Sequence, residues 1–173
     1  MNEVIKCLTE RRSCRKFLKR QLDEKDLEQI LLAGTYAPTG RNRQAPKILV
    51  LQKPEDIAAL ERMNAAILGA PEATPFFGAP TVLVVLTNPE VNTCVEDGAL
   101  VLGNLMNAAH SLGVGSCWIH RAREEFDSEE GKALLKKWGV TGEWRGVGHC
   151  ILGYPDGPLP EAAPRKSDYV VCV

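Results

Sequence analysis

A chain of 173 residues, 45% apolar and with a formal net charge of -1, lies in the size range of one compact domain able to build its own hydrophobic core. No run approaches the roughly 20 uninterrupted apolar residues of a membrane span, and Met1-Asn2-Glu3-Val4-Ile5-Lys6 lacks the apolar centre of a signal peptide, so a cytoplasmic protein is expected. The charge is uneven: residues 1–20 carry seven basic side chains against Glu3 and Glu10, which points to an anion near this end, either a phosphate group or a nucleic acid backbone.

Val4, Ile5 and Leu8 recur at helical spacing and predict a first helix over residues 2–12 whose last turn carries the arginines. Asp23 suits the cap of a second helix, with Leu27, Ile30 and Leu31 on one stripe, until Pro38-Thr39-Gly40 breaks the pattern. The loop 37–46 is then exposed and polar, and the β-branched run 47–51 reads as a buried strand. Ile57, Leu60, Met63 and Ile67 mark a third helix from Pro54, followed by a Pro- and Ala-rich loop over 69–78 and the clearest strand, 81–86.

Residues 95–112 are apolar over so much of their circumference that this helix is expected to be nearly enclosed, as the centre of the domain or part of a subunit interface. Gly113 suits its end. A short strand over 115–119, an amphipathic helix over 128–138 and a last strand over 147–152 complete the pattern. The tail beyond Gly153 has four prolines but finishes Tyr169-Val170-Val171-Cys172-Val173, which predicts an arm laid across a partner subunit. The irregular alternation of helices and strands predicts an α+β layer fold, one domain spanning 1–173. Six cysteines never reach C-x-x-C spacing, so they read as buried or idle thiols rather than metal ligands.

Arg11-Arg12-Ser13-x-Arg15 packs three guanidinium groups and a hydroxyl into five residues, a set that binds phosphate through paired, charge-assisted hydrogen bonds but that also suits a solvated surface. Pro38-Thr39-Gly40-x-Asn42-x-Gln44 offers a tight turn, a hydroxyl and two amides able to address the heteroatom edge of a planar ring. Pro164-Arg165-Lys166 adds two cations about 150 residues from the first cluster. His110, His120 and His149 read as structural or solvent-facing, and Glu96 and Asp97 as acids favoured at a helix start.

These segments, with Gly-Val-Gly-Ser-Cys-Trp-Ile at 113–119 and Gly-Tyr-Pro at 153–155, resemble in order and spacing the nitroreductase family of FMN-dependent enzymes, over nearly the whole chain. The resemblance implies a mixed, mostly antiparallel central sheet flanked by helices, in an intertwined homodimer with an exchanged C-terminal arm over 153–173. It implies that Arg11, Arg12, Ser13 and Arg15 hold the FMN phosphate and ribityl chain, joined by Arg165 and Lys166. Pro38, Thr39, Gly40, Asn42 and Gln44 would reach the ring from the other subunit. Residues Cys117, Trp118 and Ile119 would supply backbone contacts on its far face, with Gly153 nearby and Asn64 donating to its pyrimidine edge.

The implied chemistry passes reducing equivalents from NADH or NADPH, a transient visitor, to a small electron-poor acceptor such as a nitroaromatic or quinone, by a ping-pong mechanism with no catalytic side chain and no metal. Absence of a Gly-rich dinucleotide fingerprint fits a transient donor. Two departures stand out: Gln44-Ala45-Pro46-Lys47 displaces a family proline and lacks the following aromatic, and His120 stands where a small residue is common after Trp-Ile, either narrowing the pocket or facing solvent; the 69–78 segment is also short. A flavin-binding or regulatory module with little turnover is the alternative within the same scaffold. A nucleic-acid binder is disfavoured, because the rest of the chain is acidic and lacks interleaved aromatics.

Overall fold

The computed structural model describes residues 1–173. Its elements run α1 (Glu3–Glu10), α2 (Glu24–Thr35), β1 (Lys47–Leu51), α3 (Pro54–Leu68), β2 (Thr81–Thr87), α4 (Cys94–Ser111), β3 (Gly115–Ile119), α5 (Ala122–Asp127), α6 (Glu129–Lys137) and β4 (Arg145–Gly153). The four strands form one sheet in the order β1-β2-β4-β3, antiparallel at every pair. The expected mixed sheet is thus corrected to an antiparallel one; the sole parallel pairing is an isolated bridge from Ser13 to Ser116 beside β3.

Local chemistry sets most boundaries. Asn2 Oδ1 accepts the amide of Ile5 at 2.9 Å to open α1, and Ser128 Oγ accepts the amide of Gly131 at 3.0 Å to open α6. Pro54 occupies the first turn of α3, where its missing N–H costs nothing, and Gly69 closes that helix at φ 75°. Asp23 stands at the N-cap of α2 without a side-chain capping bond. The first helix stops at Glu10, two residues short of the span expected from its arginines.

Alternation along β2 sends Val82, Val84 and Leu86 into a core with α3, α5 and α6, and Leu83 and Val85 into a second core with α2 and α4. Two expectations about burial change. Strand β1 is an edge strand, buried only at Leu51, because a partner strand covers one side of it alone. Helix α4 buries Val101, Leu102, Leu105 and Ala109 but leaves Leu100 48% exposed and Val95 also exposed, so within one chain it is half enclosed.

Both chain ends meet at the same place. Leu18 donates to the carbonyl of Tyr154 at 2.9 Å and Asp156 to that of Lys16 at 3.0 Å, Phe17 bridges to Pro155, and the Arg20 guanidinium lies 3.9 Å over the Tyr154 ring. Beyond this clamp, residues 160–173 are exposed throughout. No helix is long and apolar enough to cross a membrane.

Candidate functional site

Three concave surfaces hold the residues singled out by sequence. The first, about 720 Å³, lies between the end of α1 and the tail, and brings Arg11 and Arg12 together with Arg165 and Lys166. Arg12 Nη1 donates to the carbonyls of Thr9 and Arg11, both at 2.8 Å, so part of this guanidinium fastens the turn after α1. Arg11 Nη1 and Arg12 Nε are buried without any partner. Buried donors left unsatisfied are costly, and two of them in a groove with four cations are the requirement an oxyanion meets.

The second surface, about 430 Å³, runs along β3 and is lined by Arg15, Phe77, residues 117–121 and the 73–75 turn. Ser13 stands between the two grooves, its backbone bridged to Ser116, whose Oγ is a further buried atom without a partner. Trp118 is 50% exposed and lies over Gly148, where any side chain would collide with the indole. His120 is exposed, lines this groove and meets Trp118 edge-on at 6.0 Å.

The third surface, about 350 Å³, holds Thr39 and Gln44 against Ile48, Val50 and Val101. Its loop is built with some strain: Arg41, Asn42 and Gln44 all adopt positive φ, between 50° and 56°. The amide of Gln44 donates to Thr39 Oγ1 at 3.0 Å and its side chain to Asn42 Oδ1 at 3.2 Å, while Pro38 lies exposed at the loop's start. Gly40 donates to Asp97 Oδ1 at 2.9 Å, and a Cβ at Gly40 would strike Thr93. Asp97 therefore pins the loop from the first turn of α4, a role that a charge at a helix start does not announce.

Within one chain the loop flanks β1 and the cationic segment flanks β3, at opposite edges of the sheet. Three strand spacings separate those edges, roughly 14 Å. The structure thus unites Arg11, Arg12, Arg165 and Lys166, sets Arg15 beside residues 117–119, and leaves Pro38, Thr39, Gly40, Asn42 and Gln44 apart.

Two residues fall differently from the implied roles. Asn64 is 0% exposed; its Nδ2 donates to the His120 carbonyl at 2.9 Å and to Glu125 Oε1 at 2.6 Å, and its Oδ1 accepts from Arg121 Nε at 3.0 Å. Its donors are spent inside the chain, so it braces residues 120–121 from behind instead of facing a ligand. Gly153 is buried, and its missing side chain makes room for Phe17 and Pro80, a packing role. The network behind Asn64 escaped sequence reading altogether: Glu125 Oε2 meets His149 Nε2 at 2.5 Å, both residues fully buried, with Phe76 and Phe126 edge-on to the imidazole. Burial pushes the Cys14 and Cys150 thiols above the ordinary range, which makes both poor nucleophiles.

A cationic groove at Arg11 and Arg12 and an aromatic one that takes in Arg15, on an antiparallel α+β scaffold, make the kind of site that takes a planar ligand with an anionic tail. The nitroreductase family model matches residues 8–154, and the chain belongs to the nitroreductase family. A protein of Archaeoglobus fulgidus bearing the name NADH dehydrogenase/NAD(P)H nitroreductase is 30% identical over 160 residues, covering 90% of this chain and 87% of its own. A nitroreductase with bound FMN from Bacteroides fragilis superposes with a TM-score of 0.91 at 28% identity, over 100% of both chains. A second FMN-bound nitroreductase, from Desulfitobacterium hafniense, gives 0.89 at 26%, over 100% of this chain and 99% of that one.

Proposed function

We propose that this protein is an FMN-dependent oxidoreductase that takes reducing equivalents from NADH or NADPH and passes them to a small electron-poor acceptor. One observation carries this reading: cations from both chain ends share a groove in which buried guanidinium nitrogens lack partners, beside an aromatic surface large enough for a ring. The donor set fits FMN. Arg11, Arg12, Arg165 and Lys166 would hold its phosphate, Ser13 and Arg15 the chain between phosphate and ring, and residues 117–119 one face of the ring.

When bound, FMN supplies the hydride and electron transfer. The protein binds and orients: Arg15 and the backbone of 117–120 set a positively biased, partly desolvated wall beside the ring site. The Asn64 bonds to the His120 carbonyl and to Arg121 fix that wall from behind, so little reorganisation accompanies a change of charge. The separation of the two sheet edges within one chain, roughly 14 Å at three strand spacings, favours a homodimer in which the 38–44 loop of each copy completes the site of the other, while the tail stays on the α1 groove of its own chain. Donor and acceptor then use one opening in turn, which gives ping-pong kinetics.

The deciding experiment is an absorbance spectrum of the purified protein followed by anaerobic titration with NADH and then NADPH. A yellow dimer bleached by either donor and reoxidised by a nitroaromatic or a quinone is the expected result. A colourless protein that ignores added FMN refutes the reading, and a yellow protein inert to both donors reduces it to a flavin-binding module.

A further inference from the structure

In the groove along β3, the wall beside the ring site ends in a cation whose terminal nitrogens have no role in holding the cofactor. Arg121 lines it, two residues beyond the segment assigned to the ring. Its Nε is tied to Asn64 Oδ1 at 3.0 Å, while its two terminal nitrogens take part in no hydrogen bond and no ion pair, although Glu124 and Glu125 follow within four residues. Glu125 turns inward, to Asn64 and His149. The guanidinium is therefore anchored at its root, through Asn64, to a fully buried pair, and free at its tip.

Arg121 also adopts φ 81°, a left-handed backbone that a β-substituted residue enters only at a cost. Glycine would suit that conformation better; the side chain is present in spite of it. The walls around the tip fit a planar partner. Trp118 and Phe77 are 50% and 39% exposed, His120 stands edge-on to Trp118, and no carboxylate lines the groove. A groove with exposed aromatic side chains and a guanidinium tethered at Nε, its terminal nitrogens unpaired, suits a flat molecule carrying a negative group, since a charge-assisted bond from a prepositioned donor is strong and directional.

We propose that Arg121 is a specificity-determining residue and that the acceptors this site prefers are aromatic anions, with a carboxylate or an equivalent group seated on its terminal nitrogens. The proposal rests on the groove being the reduction site. Asn64 is then a positioning residue, acting through Arg121, and the Glu125–His149 pair fixes Asn64 in turn.

The test compares 4-nitrobenzoate with 4-nitrobenzyl alcohol, close in shape and different in charge, as acceptors for the FMN-supplemented protein, and in parallel measures benzoate and benzyl alcohol binding by tryptophan fluorescence. The unaltered protein is expected to favour the carboxylate. Arg121→Gly, which suits the left-handed backbone and so protects folding, should lower the carboxylate-to-alcohol ratio of kcat/KM about tenfold, mainly through KM, and weaken benzoate binding by a similar factor. Arg121→Lys should recover part of that ratio, and Asn64→Ala, which frees the guanidinium root, should lower it about threefold.

An unchanged ratio in Arg121→Gly overturns the proposal. So does an equal fall for both acceptors with weaker FMN retention, which would assign the cation to the cofactor. If neither acceptor is turned over, the functional reading has failed, and benzoate binding alone then decides on Arg121.

Discussion

The two sides of the sheet are finished to different degrees. On the side of α3, α5 and α6, Phe76, Phe126, Leu60 and Ile151 are wholly enclosed, and even the polar Asn64, Glu125 and His149 have no contact with solvent. On the side of α1, α2 and α4, Leu83, Leu105 and Ala109 are enclosed, yet Ile5, Leu8, Leu32, Tyr36 and Leu100 are exposed, together with Val50 at the β1 edge. The first layer exposes large apolar side chains only at the end of α3 and just beyond it, at Ile67, Leu68 and Phe77, whereas the second exposes them along three helices and the β1 edge. Monomers seldom leave an apolar face of this extent open, and its position beside the 38–44 loop and the cationic groove is where a second copy would complete both core and site.

If that contrast is correct, substitutions on the two sides fail in different ways. Phe126→Ala should cost about 3–5 kcal/mol, because it empties a site with no room to collapse, and the loss should be independent of protein concentration in urea denaturation. Leu100→Asp should cost about 2–3 kcal/mol only in the assembled state, since a lone chain already leaves this side chain half exposed. Light scattering should then report single copies, and FMN should be lost on gel filtration while far-ultraviolet dichroism stays that of the folded chain. An unaltered dimer in Leu100→Asp would break the contrast and move the interface elsewhere.

What the sequence revealed follows the range of the forces involved. Helices α2, α3, α4 and α6 and strands β2 and β3 were legible to within a few residues, because periodicity, Pro54 and Gly113 act locally. Of the motifs singled out by sequence, the structure groups the basic residues of both ends and leaves the 38–44 loop apart from them. What could not be read depended on partners distant in the chain. Ile48-Leu49-Val50-Leu51 has the composition of an interior strand and lies at an edge. Helix α5 is six residues, four of them charged, and only the contact of Glu125 with His149, 24 residues on, shows that one of those charges is internal. Asp97 looked like a favourable charge at a helix start and proved to hold Gly40, 57 residues before it.

Acid sharpens the contrast at the smallest scale. In the enclosed layer, hydrogen bonds from Trp138 Nε1 and Lys137 Nζ, both at 3.0 Å, hold the Asp56 carboxyl below its usual range and fasten α3 to the end of α6. A carboxyl depressed by folding adds stability above its unfolded value, near pH 4, and loses it as the pH falls through the folded value. In the open layer, burial lowers the His110 imidazole on α4, with opposing influence from Glu10 and further lowering from Arg11 and Arg12. Stability tied to that neutral imidazole is complete above about pH 6.5 and declines as the pH falls from there toward the folded value. The half-open layer should therefore begin to weaken at a milder acidity than the closed one. Asp56→Asn should cost about 1 kcal/mol at pH 7, with Lys137 itself largely solvated, and the difference from the unaltered protein should close as the pH falls through the lowered folded value of Asp56. His110→Gln should instead flatten the decline just below pH 6.5 and leave the step near pH 4 in place. Urea midpoints across pH 3–8 measure both, and a single shared transition for the two variants would mean that the layers respond as one unit.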